Sequence, residues 1–517
     1  MSYMMGIDVG TTGTRAVIVR PDGHVVSAAT VDHQPMRMVK PGWAEQNAED
    51  WWQAAIGAVR DALQLSALKG SDIVAVGFSG QMHGVALLDK ANAVLRPAII
   101  WCDQRTQAQC DWITSRIGAD RLIRLVSNPA LTGFSAPKLL WIRDHEPEIY
   151  ERAAHFLLPK DYVRFRLTGE FATDVSDASG TLLLDVTHRR WSKDVLSVLQ
   201  IDHAILPSVH ESVETTGAVT HEAALLTGLR AGTPVVAGAG DQAASAVGNG
   251  IVTPGLTSAT LGTSGVIFAY TEMPKIDPQG RVHTFCHAVP QKWHVMGVTQ
   301  GAGLSLRWFR EQIGETESWY ARQVGVDPYD AIIEEARRVP AGSDGLLFLP
   351  YLMGERTPHL DPLARGMWFG LTASHTRGHL IRSILEGVAF SLRDSLEILK
   401  ELQIPVHQVR ASGGGSRNPL WRQIQSEIYA KEVVTLRESE GSAYGAALLA
   451  GVGGKVYTSV AEAAKETIQI AAKIEPDVER VQSYEKLYPI YRRLYPAVRD
   501  LSHKLAGLHE EAGGATS

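Results

Sequence analysis

Met4-Met5-Gly6-Ile7-Asp8-Val9-Gly10-Thr11-Thr12-Gly13-Thr14-Arg15-Ala16-Val17-Ile18-Val19 opens the chain with two apolar runs joined by a Gly-Thr-Thr-Gly turn. β-Branched residues running into and out of a glycine-bounded turn predict a hairpin. The pattern returns in the second half as Gly262-Thr263-Ser264-Gly265 followed by Val266-Ile267-Phe268-Ala269, which predicts two similar half-molecules. Each turn gathers backbone N–H groups and two hydroxyls into one small volume, a nest suited to an anion the size of phosphate. Only the first turn has an acid just before it, Asp8, where the second has Thr260. A carboxylate beside a phosphate nest makes sense mainly with a divalent cation between them. A pair of ordinary hairpins with Gly-Thr turns is the plainer alternative.

Working outward, 517 residues imply more than one domain. An apolar fraction of 45% with 21% charged residues is that of an ordinary globular chain, which sets aside disordered and fibrous classes. No apolar run reaches bilayer length, and Met1-Ser2-Tyr3-Met4 enters a strand pattern without a basic leader, so a cytoplasmic protein is expected. Cys102, Cys110 and Cys286 form an odd set without a CxxC pair and fit a reducing compartment. A net charge of −6 offers no basic footprint for nucleic acid, so a small-molecule partner is expected.

Strand-like stretches such as Ile73–Phe78 and Val235–Gly238 alternate with helical patterns, giving an α/β class. Ile381, Ile384, Leu385, Val388, Leu392, Leu396 and Leu399 form one stripe and predict a helix from about His379 to Leu402. Asn418-Pro419, an N-cap followed by proline at the first helical position, starts another that runs to about Ala430. Three glycines and a proline within Gly248–Gly255 mark the best boundary between domains. The end of the chain, Glu510 to Ser517, reads as a frayed tail.

No Walker A sequence exists, since Gly453-Gly454-Lys455-Val456 lacks the magnesium-ligating hydroxyl. Gly238-Ala239-Gly240-Asp241-Gln242-Ala243 imitates a dinucleotide fingerprint, but no Asp or Glu follows between Gln242 and Thr271 to hold a ribose. Asp241 makes better sense as an acid displayed at the carboxyl end of a strand, placed to take a proton from a hydroxyl, or as a helix N-cap. Gly413-Gly414-Gly415, ahead of the Asn418-Pro419 helix, either lets a flat or anionic group lie on the backbone or marks a close helix–strand contact. In Ser79-Gly80-Gln81-Met82-His83-Gly84, Gln81 and His83 suit sugar hydroxyls and Met82 suits carbons, against a plain polar loop with a satisfied histidine.

Together these residues resemble the FGGY carbohydrate kinases over nearly the whole chain. Gly133-Phe134-Ser135-Ala136-Pro137-Lys138-Leu139-Leu140-Trp141-Ile142-Arg143-Asp144-His145 is similar to the family's first signature. Gly366-Met367-Trp368-Phe369-Gly370-Leu371 with His379-Leu380-Ile381-Arg382-Ser383-Ile384-Leu385-Glu386 is similar to its second. Gly80–Gly84, Leu158-Pro159-Lys160-Asp161-Tyr162, Gly354-Glu355-Arg356-Thr357-Pro358-His359 and Phe285-Cys286-His287-Ala288 resemble the branch acting on D-xylulose.

The resemblance implies two ribonuclease-H-like domains of the actin/hexokinase/Hsp70 type with ATP and Mg²⁺ in an interdomain cleft. Residues 1–250 would carry the sugar and first phosphate turn, 251–500 the nucleotide, and 501–517 the tail. It implies catalytic roles for Asp241, as base, and Asp8, which also binds the metal. The sugar would meet Gln81, Met82, His83, Asp241 and Gln242. ATP would meet Gly10, Thr11, Thr12, Thr14 and Arg15 on one side, and Gly262, Thr263, Ser264, Gly414, Gly415 and Asn418 on the other. Gln242 departs from the Asn that many of the D-xylulose branch carry after the base, and one extra methylene shifts its hydrogen bond. The expected reaction is ATP-dependent phosphorylation of D-xylulose at its terminal hydroxyl. Another ketopentose, a pentitol or a sugar acid is the alternative within the family, and a non-catalytic actin- or Hsp70-like switch the alternative outside it. Expected partners are sugar and ATP, with a homodimer as the protein assembly, and neither nucleic acid nor membrane.

Overall fold

The computed structural model describes residues 2–438 and 440–514. The chain divides into two compact units, each assembled from separated segments. Unit 1 holds Met1–Thr253, Tyr270–His294 and Arg437–Gln469, and unit 2 holds Pro254–Ala269, Val295–Leu436 and Ile470–Ser517. The glycine-rich stretch at 248–255 contains one of the points where the chain passes from one unit to the other.

In unit 1 the opening sequence forms β1 (Tyr3–Val9) and β2 (Gly13–Val19), an antiparallel hairpin, continued by β3 (Val25–Asp32). Parallel to β1 lies β4 (Ile73–Gly80), and beyond it come β5 (Thr215–Ala218) and β6 (Pro234–Val236), with the short β7 (Ala239–Gly240) also pairing β4. Unit 2 repeats the device. Its β8 (Gly255–Leu261) and β9 (Gly265–Thr271) form the second antiparallel hairpin, and β8 runs parallel to β10 (Val406–Ser412). β11 (Glu432–Leu436) and β12 (Ile470–Ile474) complete that run of the sheet. The registers match as well: Asp8 stands beside Ser79 across β1 and β4, and Thr260 beside Ser412 across β8 and β10.

The helix Gly441–Gly453 lies so close to the first sheet that only glycine fits beneath it. A Cβ on Gly6 would stand 1.9 Å from the Ala443 carbonyl oxygen, and one on Gly77 2.1 Å from that of Ala446. On its other side a Cβ on Gly445 would stand 1.8 Å from the carbonyl oxygen of Ala244, in the helix Asp241–Gly248. None of these three contacts can relax without moving backbone. Gly445→Ala is therefore expected to destabilise the protein by on the order of 3 kcal/mol, seen as an earlier unfolding midpoint in denaturant. An unchanged midpoint would show that the two helices can separate freely.

Both helices predicted from pattern are present, as Arg377–Glu401 and Pro419–Tyr429. Several polar residues off the first stripe, Arg382, Glu386 and Arg393 among them, are buried. Arg382 is buried and donates to Glu386 Oε1 (2.7 Å) and to the Tyr484 hydroxyl (3.0 Å), because the long helix Val478–Gly514 covers that face. The segment expected to fray is helical through Gly514, and residues 515–517 lie outside the described residues. No helix among the described residues is long and apolar enough to cross a membrane.

Candidate functional site

Asp241 is the first residue of the helix Asp241–Gly248 and directly follows β7. The N-cap position belongs to Gly240, and no side chain caps that helix, so the capping alternative for Asp241 falls away. β7 pairs with β4 at Ser79 and Gly80, which sets Asp241 at the carboxyl end of the sheet beside the Gln81–Gly84 loop. Burial, and then the negative charge of Asp8, push the Asp241 carboxyl up to about 7, against hydrogen bonds from Gln242 that hold it down. A carboxylate held near neutrality is one that can accept a proton from a hydroxyl at working pH.

Asp8, half-buried on β1, is raised too, mainly by burial, with the hydroxyls of Ser442 and Ser79 and the charge of Arg15 opposing. Its Oδ1 has no hydrogen-bond partner among the described residues. An orphaned carboxylate oxygen is what a magnesium ion would use, since Mg²⁺ takes one or two protein carboxylates and fills its other positions with phosphate and water. No cluster of three or more His, Cys, Asp or Glu side chains suited to a metal occurs among the described residues. A site of this kind does not require one.

The first turn is braced from behind. Gln81 is buried, and its side-chain amide donates to the Gly10 carbonyl (3.1 Å) and to Gln46 Oε1 (2.9 Å). Gln46 in turn donates to the Thr11 carbonyl (2.6 Å). Gln81 thus shapes the turn from inside the unit, although sequence reading grouped it with the sugar. Thr11 Oγ1 accepts from Trp101 Nε1 (2.9 Å), and Thr12 is exposed. Thr14 is fully buried with its hydroxyl 2.8 Å from His33 Nε2, and Arg15 pairs with Glu440 and donates to Thr30 Oγ1 (2.7 Å). Both side chains are engaged inside unit 1.

Met82 is buried, and its thioether abuts Gly240, where a Cβ would come within 3.0 Å of the sulfur. His83 is half-buried with a left-handed backbone, φ 69°, and its Nδ1 lies 2.6 Å from the Gly180 carbonyl oxygen. Beneath Asp241 is a charged core that composition could not reveal. Lys160, fully buried, lies 2.6 Å from Asp161, 2.9 Å from Asp174 and 3.7 Å from Asp177. Three carboxylates share one ammonium there, and burial drives Asp177 well above the usual carboxylate range. Asp174 accepts from Ser176 N (2.7 Å), and Ser176 Oγ accepts from Gly240 N (3.1 Å), so this core holds the residue just before Asp241.

Unit 2 carries a 390 Å³ cavity lined by Gly262, Thr263, Gly303, Gly414, Gly415 and Asn418 among others. The second turn docks on a helix start: the Gly262 carbonyl accepts from Gly303 N (2.8 Å) and that of Thr263 from Leu304 N (3.1 Å). Ser264 closes the turn, its carbonyl accepting from Gly262 N (3.0 Å). Asn418 caps its helix, accepting from Leu420 N (3.0 Å), and donates to Asp330 Oδ1 (2.8 Å). The three glycines divide the two readings made of them. Gly413 (φ 79°) and Gly415 are close contacts against Leu261, whereas a Cβ on Gly414 would meet nothing within 4 Å.

Asp327 and Asp330, which also line this cavity, escaped the sequence reading. Asp327-Pro328 repeats the cap-and-proline start of Asn418-Pro419, so the signal was present.

With this geometry in hand, comparison with known proteins is specific. Residues 3–248 match the model for the FGGY family of carbohydrate kinases, N-terminal domain, and residues 257–454 match the C-terminal domain model. The chain is 41% identical to a protein named Xylulose kinase from Bacillus subtilis (strain 168), over 98% of this chain and 99% of that one. It is 39% identical to Xylulose kinase of Escherichia coli (strain K12), over 95% and 98%. The crystal structure of xylulose kinase from Rhodospirillum rubrum superposes with a TM-score of 0.90 at 31% identity, covering 97% of this chain and all of that one.

Proposed function

Because the chain belongs to the FGGY family of carbohydrate kinases, we propose that it transfers the γ-phosphoryl group of ATP to D-xylulose, giving D-xylulose 5-phosphate. The observation that carries the chemistry is Asp241, a carboxylate raised to about 7 at the end of β7, beside the loop bearing Met82 and His83. Phosphoryl transfer asks little covalent work of a protein, so positioning and charge stabilisation dominate. Asp241 accepts the proton of the terminal sugar hydroxyl as that oxygen attacks phosphorus. Met82 offers an apolar surface to the sugar carbons, and His83 hydrogen-bonds a hydroxyl. The turn at Gly10–Thr12 presents hydroxyls and backbone to phosphate, while the cavity at Gly262, Thr263, Gly414 and Asn418 takes the nucleotide.

Asp8 is the residue that would hold Mg²⁺, through the carboxylate oxygen that lacks a protein partner. When bound, the ion would neutralise charge on the phosphate oxygens. The reaction draws on ATP and so belongs in the cytoplasm. The expected homodimer is checked by light scattering, a mass near twice 56.2 kDa supporting it.

A sugar panel with coupled ADP detection tests the substrate. D-Xylulose should give a kcat/KM at least about tenfold above D-ribulose, pentitols and gluconate, with negligible ADP release in the absence of sugar. A gluconate maximum would move the substrate to a sugar acid, and sugar-independent ADP release at the full rate would overturn the kinase reading. Gln242 is the residue to vary if the ranking differs.

A further inference from the structure

Lys138 belongs to the first signature but is not among the residues proposed to meet sugar, nucleotide or metal. It sits in the helix Ser135–His145 and is fully buried. Burial pushes its ammonium down to about 7. Its Nζ donates to the His83 carbonyl (2.9 Å) and to the Gly133 carbonyl, both main-chain groups rather than carboxylates. Burying an amine without a paired carboxylate is costly where a methionine or leucine would pack. A neutral amine keeps two N–H donors and an ammonium three, so this pair of carbonyls can be held in either protonation state.

His83 needs holding. At φ 69° it lies in the left-handed region, which costs a residue with a Cβ more than it costs glycine, so contacts that hold the turn matter there. Its ring is fixed as tightly as its backbone. Nδ1 donates to the Gly180 carbonyl, 2.6 Å away, and the ring stands edge-on to Phe134 with centroids 4.9 Å apart. A Cβ on Gly180 would come within 2.6 Å of that nitrogen. With the proton on Nδ1, the neutral ring carries its lone pair on Nε2.

We infer that Lys138 is a positioning residue: by clamping the His83 carbonyl it fixes the left-handed turn that aims the imidazole at the sugar. The inference rests on the sugar-binding role proposed for His83.

A double-mutant cycle separates the two claims. His83→Ala is expected to raise the KM for D-xylulose about tenfold or more, with the KM for ATP within about twofold. Lys138→Met should do the same alone, yet add less than about twofold in the His83→Ala background. Binding of a non-hydrolysable ATP analogue and the melting temperature establish that each variant is folded, and Lys138→Gln carries the same cycle if the methionine variant does not fold. An unchanged sugar KM in His83→Ala overturns the sugar role of that histidine. A raised KM there, with no effect of Lys138→Met or with fully additive effects, overturns the positioning role and leaves the sugar role standing. Failure of both Lys138 variants to fold also overturns it, in favour of a purely structural lysine.

Discussion

Asp241→Asn is expected to lower kcat for D-xylulose phosphorylation by about a thousandfold while leaving the sugar KM within about threefold. Asparagine matches aspartate in shape and still accepts a hydrogen bond, but it cannot take a proton, so binding and proton removal part company. The pH dependence carries an independent signature. A base must be deprotonated, and burial holds Asp241 above the usual carboxylate range, so kcat/KM of the parent should climb with unit slope on the acid side and level off at or below about pH 7, since Mg²⁺ on Asp8 would offset that acid's charge. The acid limb should vanish from the residual activity of the variant. Stability runs the other way. A carboxyl whose folded pKa is raised destabilises the fold progressively as pH climbs from the unfolded value, about 3.9, to about 7. The asparagine variant should therefore melt at or above the parent at pH 8 and close to it at pH 4, which separates lost chemistry from lost structure. Turnover within tenfold of the parent would remove Asp241 as the base.

How far the sequence reached depended on how local each signal was. The two hairpins were legible because β-branched residues and a glycine-bounded turn encode them within a few positions, and the antiparallel registers of β1 with β2 and β8 with β9 bear them out. The Asn418-Pro419 start was equally local. Strand alternation could have placed Thr14 as well, since it shares a face with the buried Ala16 and Ile18. Other features had no local signal. The run Gly441–Gly453 is small and apolar all round, so nothing in its period says which side meets the sheet; backbone approach at Gly6, Gly77 and Gly445 decides that. The Lys160 core was hidden because charged side chains read as surface unless their partners are known, and Asp174 and Asp177 come from a later segment. Lys138 was quoted within its signature, but the carbonyl it binds lies 55 positions earlier.

Gly414→Leu is expected to weaken ATP binding by on the order of a hundredfold without weakening the fold. Its two neighbours show why this glycine is the informative one. Gly413 has φ 79° and a Cβ there would lie 2.5 Å from the Leu261 carbonyl oxygen, so any side chain strains the backbone. A Cβ on Gly415 would lie 2.7 Å from the Leu261 side chain, so even alanine disturbs packing. Gly414 carries neither restriction: its backbone is outside the left-handed region, and a Cβ meets nothing within 4 Å. It nevertheless lines the 390 Å³ cavity, so a leucine there extends into the space proposed for the nucleotide. Calorimetric titration with an ATP analogue should record the loss, with a melting temperature within about 2 °C of the parent, a shift of less than about 1 kcal/mol for a unit of this size. Gly415→Ala should invert the result, lowering the melting temperature more than the affinity. Parent-like ATP affinity in Gly414→Leu would mean that the nucleotide binds elsewhere, and the roles proposed for Gly262, Thr263 and Asn418 would fall with it.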